Sequence, residues 1–274
     1  MTKHICFIGG GNMASSLISG LINNHYPAHK ITVTDPDIQK LTHLEKQFAI
    51  HTDANNINAI QEAEVLVLAV KPQVLKEICL SLKETTLKTR PLIISIAAGI
   101  RSTDIDRWLG SGHSVVRCMP NTPALIQAGA TGLFANEKTS KSLKGTADQI
   151  LRSAGITLWV ESETQLDAVT AVSGSGPAYF FLFLEAMQAA GKELGLDEAT
   201  AGMLAKQTAL GAAQMALEGN DTLATLRANV TSKGGTTAAA IASFENNHFS
   251  DIIKQALTAA HGRAIELADE LGKN

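Results

Sequence analysis

Between residue 4 and about residue 160 the chain alternates short β-rich apolar runs with longer segments in which apolar residues return every three or four positions. This alternation predicts a parallel sheet covered by helices. The apolar runs place strands at 4–8, 31–34, 65–69, 92–96, 114–117, 131–134 and 157–160, with helices at 12–24, 37–47, 73–83, 102–109 and 139–153. Residues 65–70 read Val-Leu-Val-Leu-Ala-Val without alternation, as expected of a central strand buried on both faces.

Past residue 160 the strand signals stop and long alanine- and leucine-rich segments follow, separated by Gly, Pro, Asp or Ser. The pattern thus predicts an α/β domain over 1–160 and an all-α domain over 161–274. Pro177 suits the first turn of a helix that stops at Gly195, Asp197 can cap the next as far as Gly219, and Ser250 can cap the last. Phe180, Phe181, Leu182, Phe183 and Leu184 surround the first of these helices with apolar groups on every side. A helix apolar all round must be buried all round, either inside its domain or shared with a symmetry mate, and this predicts a homodimer or larger assembly.

Composition narrows the function. At 274 residues the chain has the length of about two domains, and with 45% hydrophobic against 18% charged residues it is not a disordered segment. The formal net charge is −3, the basic residues are scattered singly and aromatic residues make up 4%, a poor match to a nucleic-acid partner. Cys6, Cys79 and Cys118 lie far apart in apolar contexts with no CxxC pair, and read as small buried hydrophobes. The eight histidines are dispersed and none forms an HxxxH pair within a helix, so no metal is expected. The first residues pass straight into a strand-like run, and no apolar stretch approaches the roughly eighteen residues of a membrane span. A soluble cytoplasmic protein with no membrane partner is the expectation.

The first strand runs into Gly9-x-Gly11-x-x-Ala14, which opens an amphipathic helix containing Leu17, Ile18 and Leu21. This is what a pyrophosphate needs: Gly9 for a tight turn, Gly11 without a Cβ in the way, Ala14 for close helix packing, and a helix N-terminus offering unpaired N–H groups. The second strand ends at Asp35, 24 positions beyond Gly11. There an acid can accept hydrogen bonds from the adenosine ribose and repel a 2′-phosphate, favouring NADH over NADPH. The other reading of Asp35-Pro36 is an ordinary turn.

Three further strands end in small or rigid residues, at 69–72 (Ala-Val-Lys-Pro), 95–99 (Ser-Ile-Ala-Ala-Gly) and 117–123. In an open parallel sheet ligands gather at these ends, though each loop alone also reads as a simple turn. In the second half, 173–179 and 232–237 place glycines and hydroxyls just before a helix. That makes either an anion site of backbone N–H groups or a plain cap.

Taken in order, FIGGGNMA at 7–14, AVKP at 69–72, SIAAG at 95–99, MPNTPA at 119–124, SGSGPAY at 173–179 and GGTT at 234–237 resemble pyrroline-5-carboxylate reductase, which performs the last step of proline synthesis. The resemblance covers almost the whole chain. It implies a Rossmann-type parallel-sheet domain followed by an all-α dimerisation domain that interleaves with a partner subunit, in dimers that often assemble into decamers. It also implies reduction of a cyclic imino acid by NADPH or NADH. The cofactor is expected at Ile8, Gly9, Gly10, Gly11, Asn12, Met13, Asp35, Asn56, Ala69, Val70, Lys71, Pro72, Ile96, Ala98 and Asn229, and the substrate at Glu163, Gly235, Thr236 and Thr237. The loop at 232–237 is expected to meet the cofactor of the neighbouring subunit.

Two departures from the family stand out. Lys233 occupies a place where proline is usual, and Asp35-Pro36 replaces the Asn-Arg or Ser-Arg pair of members that bind the 2′-phosphate. A protonated C=N is already a good hydride acceptor, which fits a chain with no Ser-His-Asp, Cys-His or paired-carboxylate constellation. Backbone N–H groups of 234–237 are assigned to the substrate carboxylate and the Thr237 hydroxyl to the ring nitrogen, making Thr237 the catalytic candidate. One rival is a β-hydroxyacid dehydrogenase, which needs a lysine followed four residues on by asparagine, an arrangement that Lys192 and Lys206 lack. Another is a non-catalytic nucleotide or metabolite sensor with the same phosphate loop.

Overall fold

The computed structural model describes residues 2–272. The first part of the chain runs β1 (Ile5–Ile8), α1 (Asn12–Asn23), β2 (Ile31–Thr34), α2 (Ile38–Phe48), β3 (His51–Asp53), α3 (Asn56–Ala59), β4 (Val65–Leu68), α4 (Pro72–Thr89), β5 (Leu92–Ser95), α5 (Ser102–Trp108), β6 (Val115–Met119), β7 (Gly129–Ala135), α6 (Lys141–Leu151), β8 (Gly155–Trp159) and α7 (Gln165–Val169). The strands form one sheet in the order β3-β2-β1-β4-β5-β6-β7-β8.

Neighbouring strands are parallel except β6 and β7, which pair antiparallel through Val116↔Ala135 and Cys118↔Leu133. The sheet is otherwise parallel, as the alternation predicts, and this one pair is the exception. A parallel return needs a crossover of a dozen or more residues, usually a helix. Between β6 and β7 there is only the short 3-10 turn Thr122–Ile126, so the chain comes straight back. α6 then supplies a crossover, and β8 lies parallel to β7.

Strand residues alternate between two cores, one on each face. Ile5, Phe7, Val67 and Ile94 pack with Leu17, Ile18 and Leu21 of α1. Cys6, Ile8, Leu66 and Ile93 pack with Leu75, Cys79 and Leu82 of α4 and with Ile105 and Trp108 of α5. All three cysteines are free and buried, as their apolar contexts suggested. Two elements escaped the pattern. β3 is three residues of His-Thr-Asp with no apolar alternation, and α3 is a single turn. α4 also runs on to Thr89, beyond the expected 83, because the hydroxyl of the buried Thr86 donates to the carbonyls of Leu82 and Lys83 and so satisfies itself inside the helix.

The chain divides into two compact units: residues up to Ser175 together with those from Ala260 onward, and Gly176–Ala259. This differs from a division at 160, because losing the strand pattern marks the end of the sheet and not the end of its unit. Leu166 and Asp167 of α7 are buried in the sheet unit. The last turns of α12 (Phe249–Gly272) also belong to it, with Asp269 2.7 Å from Arg101.

The helical unit holds α8 (Gly176–Glu193), α9 (Glu198–Glu218), α10 (Leu223–Asn229), α11 (Thr236–Asn246) and the start of α12. Pro177 does sit in the first turn of α8, and the Asp197 carboxylate caps α9 by accepting from the Thr200 amide at 3.0 Å. α12 begins at Phe249, so Ser250 lies inside its first turn and is not the cap. Within one chain α8 is not buried all round: Phe180, Phe181, Leu182 and Phe183 are exposed, the first at 68%. It meets α9 at small residues, where Gly191 faces Ala201, and that strip is too narrow to cover its aromatic faces. Among the described residues no helix is long and apolar enough to cross a membrane.

Candidate cofactor and substrate sites

Hydrogen bonds continue one residue past the strands and lace their carboxyl ends together. The Gly9 amide donates to Thr34 O at 2.8 Å, the Ala69 amide to Ile8 O at 2.8 Å, and the Ile96 amide to Leu68 O at 3.2 Å. Gly9, Asp35, Ala69 and Ile96 therefore line up along one edge of the sheet. β1 lies between β2 and β4, where the strand order reverses, the place where open parallel sheets bind ligands.

The glycines of this loop do different work. Gly9 has φ +100°, and a Cβ there would lie 2.6 Å from Ala69 O, so no other residue fits. At Gly10 a Cβ would lie 2.8 Å from Leu44 Cδ1 of α2. Gly11 is the N-cap of α1 with no side-chain cap, and a Cβ there would meet nothing within 4 Å. The first amides of α1, from exposed Asn12 and half-buried Met13, thus face open space with the positive end of the helix dipole behind them. That cradle fits a dinucleotide pyrophosphate.

Asp35 is 8% exposed, and both of its carboxylate oxygens accept hydrogen bonds. Its Oδ2 accepts from the Gly10 amide and from Lys40 Nζ, both at 2.9 Å, and its Oδ1 accepts from the Asp37 amide at 3.0 Å. Burial works against its charge, but the Lys40 ammonium and the two amides outweigh that and hold the carboxyl below the usual carboxylate range. An acid alone at this place would favour NADH, but Asp35 is one half of an ion pair.

Along the same edge, Lys71 is the exposed N-cap of α4 and Pro72 takes the first helical position, where its missing N–H costs nothing. Ala69, Val70, Ile96 and Ala98 are half-buried. Asn56 opens α3, which is capped by the Asn55 side chain.

Glu163 also lies in the sheet unit. Its Oε1 accepts from the Ser102 amide at 2.6 Å and from Arg117 Nη1 at 3.0 Å, and its Oε2 accepts from Ser102 Oγ at 2.7 Å. The carboxylate thus caps α5, whose own N-cap Arg101 offers the helix no side-chain cap, and neutralises Arg117, which is 5% exposed. Sequence reasoning missed Arg117 and Ser102. The available signal was a lone arginine inside the apolar run Val-Val-Arg-Cys-Met, since a buried charge needs a partner. Asn121, also missed, donates from Nδ2 to Ser173 O at 3.1 Å and accepts from the Ala130 amide at 2.9 Å, joining the motifs at 119–124 and 173–179.

The remaining expected residues sit together in the helical unit. Thr236 and Thr237 are the first two residues of α11, and Gly235 is an N-cap that offers no side-chain bond. The Gly235 amide donates to Ser232 O at 3.0 Å, closing a turn with Gly234 at φ +73°. Asn229 is the exposed last residue of α10.

Residues 163–267 match the family model for pyrroline-5-carboxylate reductase dimerisation, and residues 4–99 match that for NADP oxidoreductase, coenzyme F420-dependent. A pyrroline-5-carboxylate reductase of Pseudomonas aeruginosa is 51% identical over 272 residues, covering 99% of each chain. The chain belongs to the pyrroline-5-carboxylate reductase family. The solved structure of a pyrroline-5-carboxylate reductase from Coxiella burnetii superposes with a TM-score of 0.95 at 46% identity, covering 98% of this chain and 99% of that one. That of the Plasmodium falciparum pyrroline carboxylate reductase, solved with NADP bound, gives 0.85 at 28% identity, covering 97% and 98%.

The dimerisation match of this family member spans the exposed aromatic face of α8. It begins at Glu163, ahead of the compact helical unit that starts at Gly176, so it takes in both the cap of α5 and the helices. The turn at 232–235 closes with Lys233 at its second position, because an L-residue there needs only ordinary backbone angles while Gly234 takes the left-handed one.

Proposed function

We propose that the chain is an NAD(P)H-dependent pyrroline-5-carboxylate reductase that adds hydride to the imine carbon of 1-pyrroline-5-carboxylate and yields L-proline. The observation that carries this reading is the 51% identity along 99% of both chains. It is supported by two glycine-led helix starts without side-chain caps, at Gly11 and Gly235.

The bound nicotinamide supplies the hydride. The chain's own task is placement. Amides from Gly11 to Met13 hold the pyrophosphate, with Ile8, Gly9 and Gly10 shaping the turn. Asp35 lies at the ribose end, and Asn56, the 69–72 loop, Ile96, Ala98 and Asn229 complete the cofactor contacts. The substrate carboxylate meets the amides of 234–237, with Glu163 and Thr236 beside the same molecule. The Thr237 hydroxyl hydrogen-bonds the ring nitrogen. Because the iminium already carries its proton, hydride arrival at carbon leaves a neutral amine and no side chain must donate in that step.

The functional unit in this reading is a cytoplasmic homodimer, or a decamer built of such dimers, in which the 232–237 loop completes the cofactor site of the neighbouring subunit. Purified protein mixed with pyrroline-5-carboxylate and either NADH or NADPH should consume the reduced cofactor; no consumption with either would favour a sensor. Thr237→Ala should lower kcat/KM at least tenfold, about 1.4 kcal/mol of transition-state binding, and unchanged kinetics would remove Thr237 from its role.

A further inference from the structure

Lys40 stands three residues into α2, where the helix dipole disfavours a cation. It is held there by Asp35, with Nζ 2.9 Å from Oδ2, the same oxygen that accepts the Gly10 amide of the phosphate loop. Its stem crosses the loop, since a Cβ on Gly10 would lie 3.4 Å from Lys40 Cδ. Unlike its buried partner, the Lys40 side chain is 39% exposed. The neighbouring acid is already occupied, because Asp37 Oδ1 accepts from the Gln39 and Lys40 amides.

We propose that Lys40 sets the cofactor range of this site by turning from Asp35 onto the 2′-phosphate of NADPH, while NADH leaves the pair intact and uses Asp35 for its ribose hydroxyls. The proposal rests on the cofactor reading above. A lone buried carboxylate at the ribose end would repel a dianionic phosphate. The Asp35–Lys40 pair has no net charge and carries its ammonium on a flexible four-carbon stem at the solvent side, so a stronger anion can draw it away. Discrimination between the two cofactors is then a contest between Asp35 and the phosphate for one cation.

The test is calorimetric binding of NAD+ and NADP+, which differ only by that phosphate, to the full-length wild-type protein, Lys40→Met and Lys40→Arg. Lys40→Met should weaken NADP+ at least tenfold and change NAD+ less than threefold, and Lys40→Arg should restore most of the loss. Equal weakening of both ligands would reduce Lys40 to a support for Asp35 and overturn the proposal, as would unchanged NADP+ affinity. Should Lys40→Met fail to fold, wild-type protein decides: NADP+ affinity should fall more steeply with salt than NAD+ affinity, and equal slopes overturn the proposal. A wild-type protein that binds neither nucleotide overturns the underlying cofactor reading, a result distinct from the others.

Discussion

β4 and α8 carry two of the densest apolar runs in the chain, and they end in opposite surroundings. Val65, Leu66, Val67 and Leu68 are fully buried, whereas Phe180, Phe181 and Leu182 are each more than 60% exposed. The difference follows from backbone hydrogen bonding. A strand needs neighbours for its N–H and C=O groups, so β4 is clamped between β1 and β5 and covered on both faces. A helix satisfies its own backbone and can offer an apolar surface to a different molecule. Among the described hydrophobic residues of 176–259, only Ala201 and Ala205 are buried. Apolar density therefore specifies burial, and the type of element decides whether the cover comes from the same chain.

The largest expected effect tests the sheet side of this contrast. Phe7 is wholly buried in the core against α1, and Phe7→Ala should cost about 3–5 kcal/mol in urea unfolding of the sheet unit. Phe180→Ala should leave that transition in place. Equal shifts for the two variants would erase the distinction.

The helical side is tested by assembly. If a second copy covers α8, Phe180→Asp forfeits about 1.5–3 kcal/mol of burial per subunit and adds a charge that must be desolvated. Sedimentation should show the dimer dissociating at concentrations at least a hundredfold higher than for wild type. An unchanged sedimentation profile would mean that this face stays in water.

A third, smaller effect is read by pH in the sheet unit. In the sheet unit Asp106 is pulled two ways. Burial raises its pKa, while Lys138 Nζ at 2.7 Å and the amides of His113 and Gly112 lower it further than burial raises it. Asp35 is depressed in the same sense. A carboxyl whose folded pKa lies below its unfolded value, about 3.9, stabilises above that pH and loses the contribution as pH falls through the folded value. The sheet unit should therefore hold its stability from neutral pH to about pH 5 and lose it below about pH 4. Asp106→Asn should flatten that loss and cost about 1.5–3 kcal/mol at pH 7. An acid limb unchanged in the variant would exclude Asp106 as its source.

Local chemistry was readable in advance. Gly9 lies where the strand-to-helix turn demands a glycine, Pro177 sits in the first turn of α8, and Asp197 caps α9. What the pattern hid depends on distant partners. Arg117 looks like an intruder in an apolar strand until Glu163, 46 residues on, neutralises it. Asp35 reads as an unpaired acid until α2 folds Lys40 back over it. β7 shows its apolar residues but not its direction, which the short turn before it decides. The residues expected at the substrate suffer most, because Glu163 belongs to one unit while Gly235, Thr236 and Thr237 belong to the other.

The smallest effect probes how firmly the turn at 232–235 is held. Lys233 is the second residue of the turn closed by the Gly235 amide on Ser232 O, followed by a left-handed glycine, a geometry in which proline is favoured at the second position. Lys233→Pro restricts the unfolded chain without changing the turn, and should stabilise the helical unit by about 0.4–1 kcal/mol. If the loop holds its amides toward the substrate carboxylate, the same substitution should leave KM for the imine within a few-fold, because the turn is already formed. A large rise in KM would instead assign the Lys233 ammonium to carboxylate binding, and the anion site would then be a side chain added to a helix start rather than the helix start alone.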